Sequence, residues 1–176
     1  MKPRKIALIG ISGTGKTTLA RCISRLSAIP LHHMDRLIWA DNWARCSLDA
    51  IDSELQAILR TDAWIVEGWI DSYSQKILEA ADLVIYLDYS GWLALWGGLK
   101  RGWRHRVTPR PELPAGCCDS LRLKALLALL RKDERPRIER FLATWAPANL
   151  VRCRSRSEAA IVLGRMGLCE RPSRAT

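Results

Sequence analysis

Residues 10–17 read Gly-Ile-Ser-Gly-Thr-Gly-Lys-Thr, a full match to G-x-x-x-x-G-K-[ST] placed directly after the apolar run Ile6-Ala7-Leu8-Ile9. Such a loop leaves a chain few choices of fold, because it works only between a strand and the start of a helix. Lys5–Ile9 predicts that strand and Lys16–Leu26 that helix, with Leu19, Ile23 and Leu26 on one face. Gly10, Gly13 and Gly15 admit backbone conformations closed to residues with a Cβ, so successive N–H groups can turn inward around a nucleotide phosphate. The expected contacts are Gly10, Ser12, Gly13, Thr14, Gly15, Lys16, Thr17 and Thr18. Lys16 reaches for the β and γ oxygens, the Thr17 hydroxyl suits a Mg²⁺ that bridges them, and Thr18 enters a helix whose N-terminus favours negative charge. A Gly-rich turn that binds nothing would have no need of Lys-Thr after its last glycine.

At 176 residues and 48% hydrophobic, the chain is long enough for one real core and is expected to form a single domain, 1–176. Its 28 basic against 18 acidic residues give a net charge of +10, which implies an anionic partner without choosing among nucleotides, nucleic acid and acidic membranes. The six cysteines form no C-x-x-C pair, so reduced thiols and a cytoplasmic setting are expected, and Cys117-Cys118 read as ordinary loop thiols. Met1–Lys5 before an apolar run imitates a secretory leader, but the run breaks at Ser12-Gly13. No apolar stretch approaches the length of a membrane span, so a soluble protein with no membrane partner is expected.

Short apolar runs alternate with helical patterns. Strands are predicted at Ile6–Ile9, Pro30–His33, Trp64–Glu67, Leu83–Leu87 and Leu150–Cys153. Helices are predicted at Lys16–Leu26, Leu48–Leu59, Tyr73–Glu79, Trp92–Arg104, Ser120–Lys132, Pro136–Trp145 and Glu158–Met166. Ser47 is a plausible N-cap for the second of these, Ser155-x-x-Glu158 reads as a capping box, and Gly167 can close the last helix. Strands separated by helices require right-handed crossovers and a parallel sheet covered on both faces. The expected fold is a three-layer α/β/α sandwich around a parallel five-stranded sheet.

Ligands of such sheets collect beyond the carboxyl ends of the strands. The second strand ends at His32-His33-Met34-Asp35, the third at Glu67-Gly68-Trp69 and the fourth at Asp88, so three acidic residues are expected around one crevice. Asp88 follows Leu-Val-Ile-Tyr-Leu as a Walker B aspartate would, and Glu67 competes with it for the metal-side role; Thr17 and Glu67 are the expected metal contacts. His32 and His33 read as structural or pocket-lining, because no third metal ligand has suitable spacing.

The order of phosphate loop, His-x-Asp-x-x-x-Trp (His33 to Trp39), Trp64-Ile-Val-Glu67-Gly68, Asp82 to Asp88, and an Arg-rich stretch before Gly116-Cys117 resembles the adenylate-kinase-like P-loop proteins known as topology modulation (FlaR-like) proteins. The resemblance covers nearly the whole chain and implies a nucleoside-monophosphate-kinase-like core with a lid, here about residues 101–118. Two departures stand out: the third strand of that group more often ends Asp-Gly-Asn-Tyr, and adenylate kinases carry an Arg soon after the Asp-Gly, whereas residues 69–80 contain none. The standard grip on a nucleoside monophosphate acceptor is weakened accordingly.

Phosphoryl transfer needs positive charge around the moving group and exclusion of water. Lys100, Arg101, Arg104, Arg106 and Arg110 precede Pro109, Pro111, Pro114 and Gly116 closely or interleave with them, the composition of a hinged lid. Arg131, Arg135, Arg137 and Arg140 form a second basic group. The expected catalytic set is Lys16, Asp35, Glu67, Arg101, Arg106, Arg110 and Arg135, with Asp35 orienting the attacking hydroxyl and Glu67 in the metal's water shell or acting as base. Among eight tryptophans, Trp39, Trp43 and Trp69 group near the acceptor side, while the spacing of Trp92, Trp96 and Trp103 reads as a core stripe.

These readings point to an ATP- and Mg²⁺-dependent phosphotransferase acting on a small acceptor: a nucleoside, nucleotide or related metabolite. The alternative is an ATP-regulated nucleic-acid-binding protein without kinase activity, which the charge invites but no recognition module supports. A GTPase is disfavoured by the lack of an Asn-Lys-x-Asp element. By resemblance, the donor base sits near Arg154–Ser157.

Overall fold

The apolar runs at Ile6–Ile9, Trp64–Val66 and Val84–Leu87 are continuous rather than alternating, the pattern of strands buried on both faces. In the computed structural model, which describes residues 2–68, 74–90, 92, 96, 97, 103, 114, 117 and 134–168, these runs form the middle of the sheet. The elements in chain order are β1 (Lys5–Gly10), α1 (Lys16–Ser27), β2 (Leu31–His33), α2 (Met34–Ile38), a 3₁₀ turn (Asp41–Trp43), α3 (Leu48–Leu59), β3 (Trp64–Glu67), α4 (Ser74–Ala80), β4 (Leu83–Leu87), α5 (Arg135–Trp145), β5 (Leu150–Cys153) and α6 (Arg156–Arg165). The strands are all parallel, in the order β2-β3-β1-β4-β5.

Because side chains alternate across a strand, β1 feeds two cores. Ala7 and Ile9 pack with Ile51, Leu55 and Ile58 of α3 and Ile138 and Leu142 of α5. Ile6 and Leu8 pack on the other face with Ala20 and Ile23 of α1 and Ala159 and Val162 of α6. The three-layer α/β sandwich expected from the sequence is therefore the observed fold. Helix ends follow local chemistry: Ser47 accepts a hydrogen bond from Ala50 N, and Ser155 accepts one from Glu158 N while the Glu158 carboxylate takes the N–H of Arg154. Gly167, at φ 69°, closes α6.

Two expectations change. α2 is a separate short helix immediately after β2, with Asp35 in its first turn. Trp92, Trp96 and Trp103 are helical but 75%, 70% and 74% exposed, so they are not a core stripe. The predicted helix at Ser120–Lys132 and most of the one at Trp92–Arg104 lie outside the described residues, as does nearly all of the expected lid. Cys22, Cys46, Cys117 and Cys153 are free thiols. Among the described residues no helix is long and apolar enough to cross a membrane.

Candidate active site

All five strands point the same way, so the phosphate loop after β1, His33 at the end of β2, Glu67 at the end of β3 and Asp88 after β4 share one end of the sheet. The loop turns through Gly13 at φ 86° and Gly15 at φ 90°, values that a Cβ disfavours. Gly15 precedes α1, whose first turn carries no acidic residue and no side-chain cap, the kind of helix start whose field favours an anion. Thr14 is buried and donates its hydroxyl to Ile11 O at 2.9 Å, which makes it a brace of the loop. Lys16 folds back along the loop, its ammonium donating to Gly10 O at 2.8 Å and Ile11 O at 3.0 Å. Ser12 N–H donates to Glu134 Oε2 at 3.4 Å, which brings the start of α5 against the loop.

The β2–β3 register sets His33 beside Glu67. Glu67 is 6% exposed, and its Oε1 accepts two hydrogen bonds: from Thr17 Oγ1 at 3.0 Å and from His33 Nδ1 at 2.6 Å. Burial pushes the Glu67 carboxyl up, but the His33 hydrogen bond, the Lys16 charge and the Thr17 hydrogen bond together hold it below the usual carboxylate range. His32, on the opposite face of the strand, is pushed below its ordinary value by burial and then by the neighbouring His33. Beyond β3 the chain passes so close to α2 that a Cβ on Gly68 would lie 2.7 Å from Met34 Cβ, so the exits of β2 and β3 are locked together. Asp35 follows directly, half-buried, in the first turn of α2.

Asp88 has different company. Its carboxylate pairs with Arg135 Nε at 2.9 Å and Arg152 Nη1 at 3.2 Å. Arg152 also binds Glu139 at 2.6 Å and lies over the Tyr86 ring, and Arg135 donates to Tyr89 O at 2.8 Å. Of the two carboxylates expected to compete beside the loop, Glu67 contacts Thr17 and Asp88 contacts guanidinium groups. Sequence reading missed Arg152; its only signal was a basic residue inside an otherwise apolar strand.

On the β2 side, Trp39 and Arg45 bridge to close a small hairpin, inside which Trp39 and Trp43 meet edge to face with ring centroids 5.6 Å apart. Cys117 is buried against it, accepting from Trp43 N at 3.2 Å and donating to Ala40 O at 3.5 Å, so it is more than an ordinary loop thiol. Trp69, Arg101, Arg106 and Arg110 lie outside the described residues. Gly97, which is described, packs on the loop so closely that a Cβ there would lie 2.1 Å from Gly13 O. Among the described residues no group of three or more His, Cys, Asp or Glu is placed to hold a metal by itself.

No protein-family model matches the chain, and comparison with curated proteins finds no match. Solved structures do. Shikimate kinase from Bacteroides thetaiotaomicron is similar at a TM-score of 0.58 with 13% identity, over 94% of this chain and 99% of that one. Shikimate kinase from Acinetobacter baumannii, in complex with shikimate, is similar at 0.55 with 16% identity, over 94% and 92%. A gluconokinase from Sinorhizobium meliloti 1021 is similar at 0.50 with 19% identity, over 94% of each chain. At such identities the likeness concerns the path of the backbone: this chain has the α/β fold of these kinases.

Proposed function

We propose that the protein is a P-loop kinase that moves the γ-phosphate of Mg-ATP to a hydroxyl or phosphate of a small acceptor. The observation that carries this reading is the hydrogen bond from Thr17 Oγ1 to Glu67 Oε1 at the foot of an uncapped α1. A threonine hydroxyl that gives its proton to a carboxylate keeps its lone pairs for a cation, which is what the Mg²⁺ of a bound nucleotide requires. With no group of three or more His, Cys, Asp or Glu placed to hold a metal among the described residues, such a cation would be held mainly by the phosphates it accompanies, with Thr17 and Glu67 completing the shell.

In this reading Lys16 leaves the loop carbonyls for the phosphate oxygens, and the loop N–H groups from Gly13 to Thr18 bind the β-phosphate. Asp35 orients the attacking hydroxyl, and the Trp39–Trp43 hairpin forms part of the acceptor wall. Arg101, Arg106 and Arg110 supply positive charge from a lid at about residues 101–118, and Arg135 does so from the start of α5. The motif order shared with topology modulation (FlaR-like) proteins supports the same core. The fold comparisons add shikimate and gluconate to the nucleosides and nucleotides as acceptors to try first.

The test is ADP formation from Mg-ATP with and without a panel of those acceptors, with mass spectrometry of the products and Lys16→Ala as the blank. Acceptor-dependent turnover that Lys16→Ala abolishes is the expected result. Nucleotide binding with no phosphorylated product across the panel would remove the kinase reading.

A further inference from the structure

His33 was expected to be structural or pocket-lining, and the proposed reaction gives it no part. Its position argues for one. The parallel β2–β3 register puts His33 and Glu67 side by side, so their side chains leave the sheet on the same face. Both donors that reach Glu67, the Thr17 hydroxyl at 3.0 Å and His33 Nδ1 at 2.6 Å, converge on one oxygen, Oε1. Glu67 Oε2 has no hydrogen-bond partner among the described residues. An ionised carboxylate only accepts, so the imidazole must carry its proton on Nδ1 to make this contact. Both side chains are largely buried, His33 being 13% and Glu67 7% exposed at the side chain, and the Met34–Gly68 contact fixes the backbone just beyond both.

We propose that His33 is a positioning residue that fixes the Glu67 carboxylate through Nδ1–H, so that Thr17 directs its proton to Glu67 and its lone pairs to the cation of Mg-nucleotide. A carboxylate held by Thr17 alone could rotate about its last torsion, a broad and roughly two-fold one, and the hydroxyl proton would then be free to turn toward the metal. The second donor removes that freedom. The inference rests on the kinase reading but concerns one feature of it, the coupling between Mg²⁺ and nucleotide.

The experiment is calorimetric binding of ADP to the full chain with and without Mg²⁺ at one pH, for the native protein, His33→Asn, His33→Gln and His33→Ala, with thermal melting as the check on folding. The amide nitrogen of Asn occupies nearly the place of Nδ1, and that of Gln nearly the place of Nε2. Expected is that His33→Asn keeps the Mg²⁺ enhancement of ADP affinity, whereas Gln and Ala lose it by roughly ten-fold or more, the effect usual for a group that orients a metal's partner. Affinity without Mg²⁺ stays the same in all four. In turnover, the half-saturating Mg²⁺ concentration rises for Gln and Ala, with little change in KM for ATP at saturating Mg²⁺. In a Glu67→Gln background, His33→Ala adds nothing further, since His33 acts through that carboxylate. Full Mg²⁺ enhancement in folded His33→Ala, or equal loss of ADP affinity with and without Mg²⁺, overturns the proposal while leaving the kinase reading standing. Absence of any ADP binding by the native protein overturns both.

Discussion

Asp35 and Lys16 act on opposite halves of the proposed reaction, and their kinetics should separate accordingly. Asp35 stands in the first turn of α2, where the proposed reaction seats the acceptor, while the Lys16 ammonium lies over the loop proposed to take the phosphates. Asp35→Asn keeps the size of the side chain and removes its charge and basicity. It is expected to lower kcat by about 10²–10⁴-fold, the usual contribution of a positioned acid or base, and to leave ATP affinity within a few-fold. Steady-state kinetics in ATP and in acceptor check this; equal losses in kcat and ATP affinity would move Asp35 to the nucleotide site. The placement of the loop after β1 and of the carboxylates at strand ends was legible in the sequence, because these are local features. Which of Glu67 and Asp88 contacts Thr17 was not. It turns on Arg152, 64 residues beyond Asp88, which the β4–β5 register brings alongside. His33 was obscure for the same reason: its partner lies 34 residues away on the neighbouring strand.

The strands β3, β4 and β5 have the bounds that their apolar runs predict, and α3 begins and ends where its stripe and Ser47 cap place it. α2 was not among the predicted helices because five residues are too few to display a helical period. The tryptophans at 92, 96 and 103 were misjudged for another reason: spacing says which residues share a helix face, but only tertiary packing says whether that face is covered. One tie between elements has a pH signature. Asp82, just before β4, accepts the backbone N–H groups of Arg4 and Lys5, each at 2.9 Å, and so anchors the start of β1. Those two hydrogen bonds, the Arg4 one first, hold its carboxyl below the usual value against a small opposing effect of burial. A depressed folded pKa means that the stabilisation is complete at neutral pH and fades as pH falls through the ordinary carboxylate range toward the folded value. Asp82→Ala should therefore lower Tm at pH 7, and the difference from the native protein should shrink below about pH 4. Melting curves across that interval test it; a constant difference would assign the effect to something other than the ionised carboxylate.

The order β2-β3-β1-β4-β5 places the Gly-rich loop after the central strand, with Asp35 and the Trp39–Trp43 hairpin to one side and the Asp88–Arg135–Arg152 group to the other. A parallel sheet could be read from alternating strands and helices, but strand order could not, because period and composition carry no information about neighbours. The same order bears on the +10 charge. The crossover from β4 to β5 spans residues 88–149 and includes Lys100, Arg101, Arg104, Arg106 and Arg110, so much of the excess charge belongs to the segment that follows β4. If that charge serves phosphates of a small ligand, nucleic acid should meet it only as a polyanion. Binding of single-stranded DNA, to which the exposed Trp92, Trp96 and Trp103 would add stacking, is then expected at low salt, with no sequence preference. It should weaken by several orders of magnitude, about 10³-fold if six phosphates are neutralised, between 50 and 200 mM salt. Mg-ATP should compete with the DNA at low salt, and DNA should not stimulate ADP formation at physiological salt. Fluorescence anisotropy across a salt series, with ADP release measured in parallel, decides the matter: a sequence or shape preference that survives at 150 mM salt would favour the ATP-regulated nucleic-acid-binding role over the kinase, since counterion release alone cannot produce one.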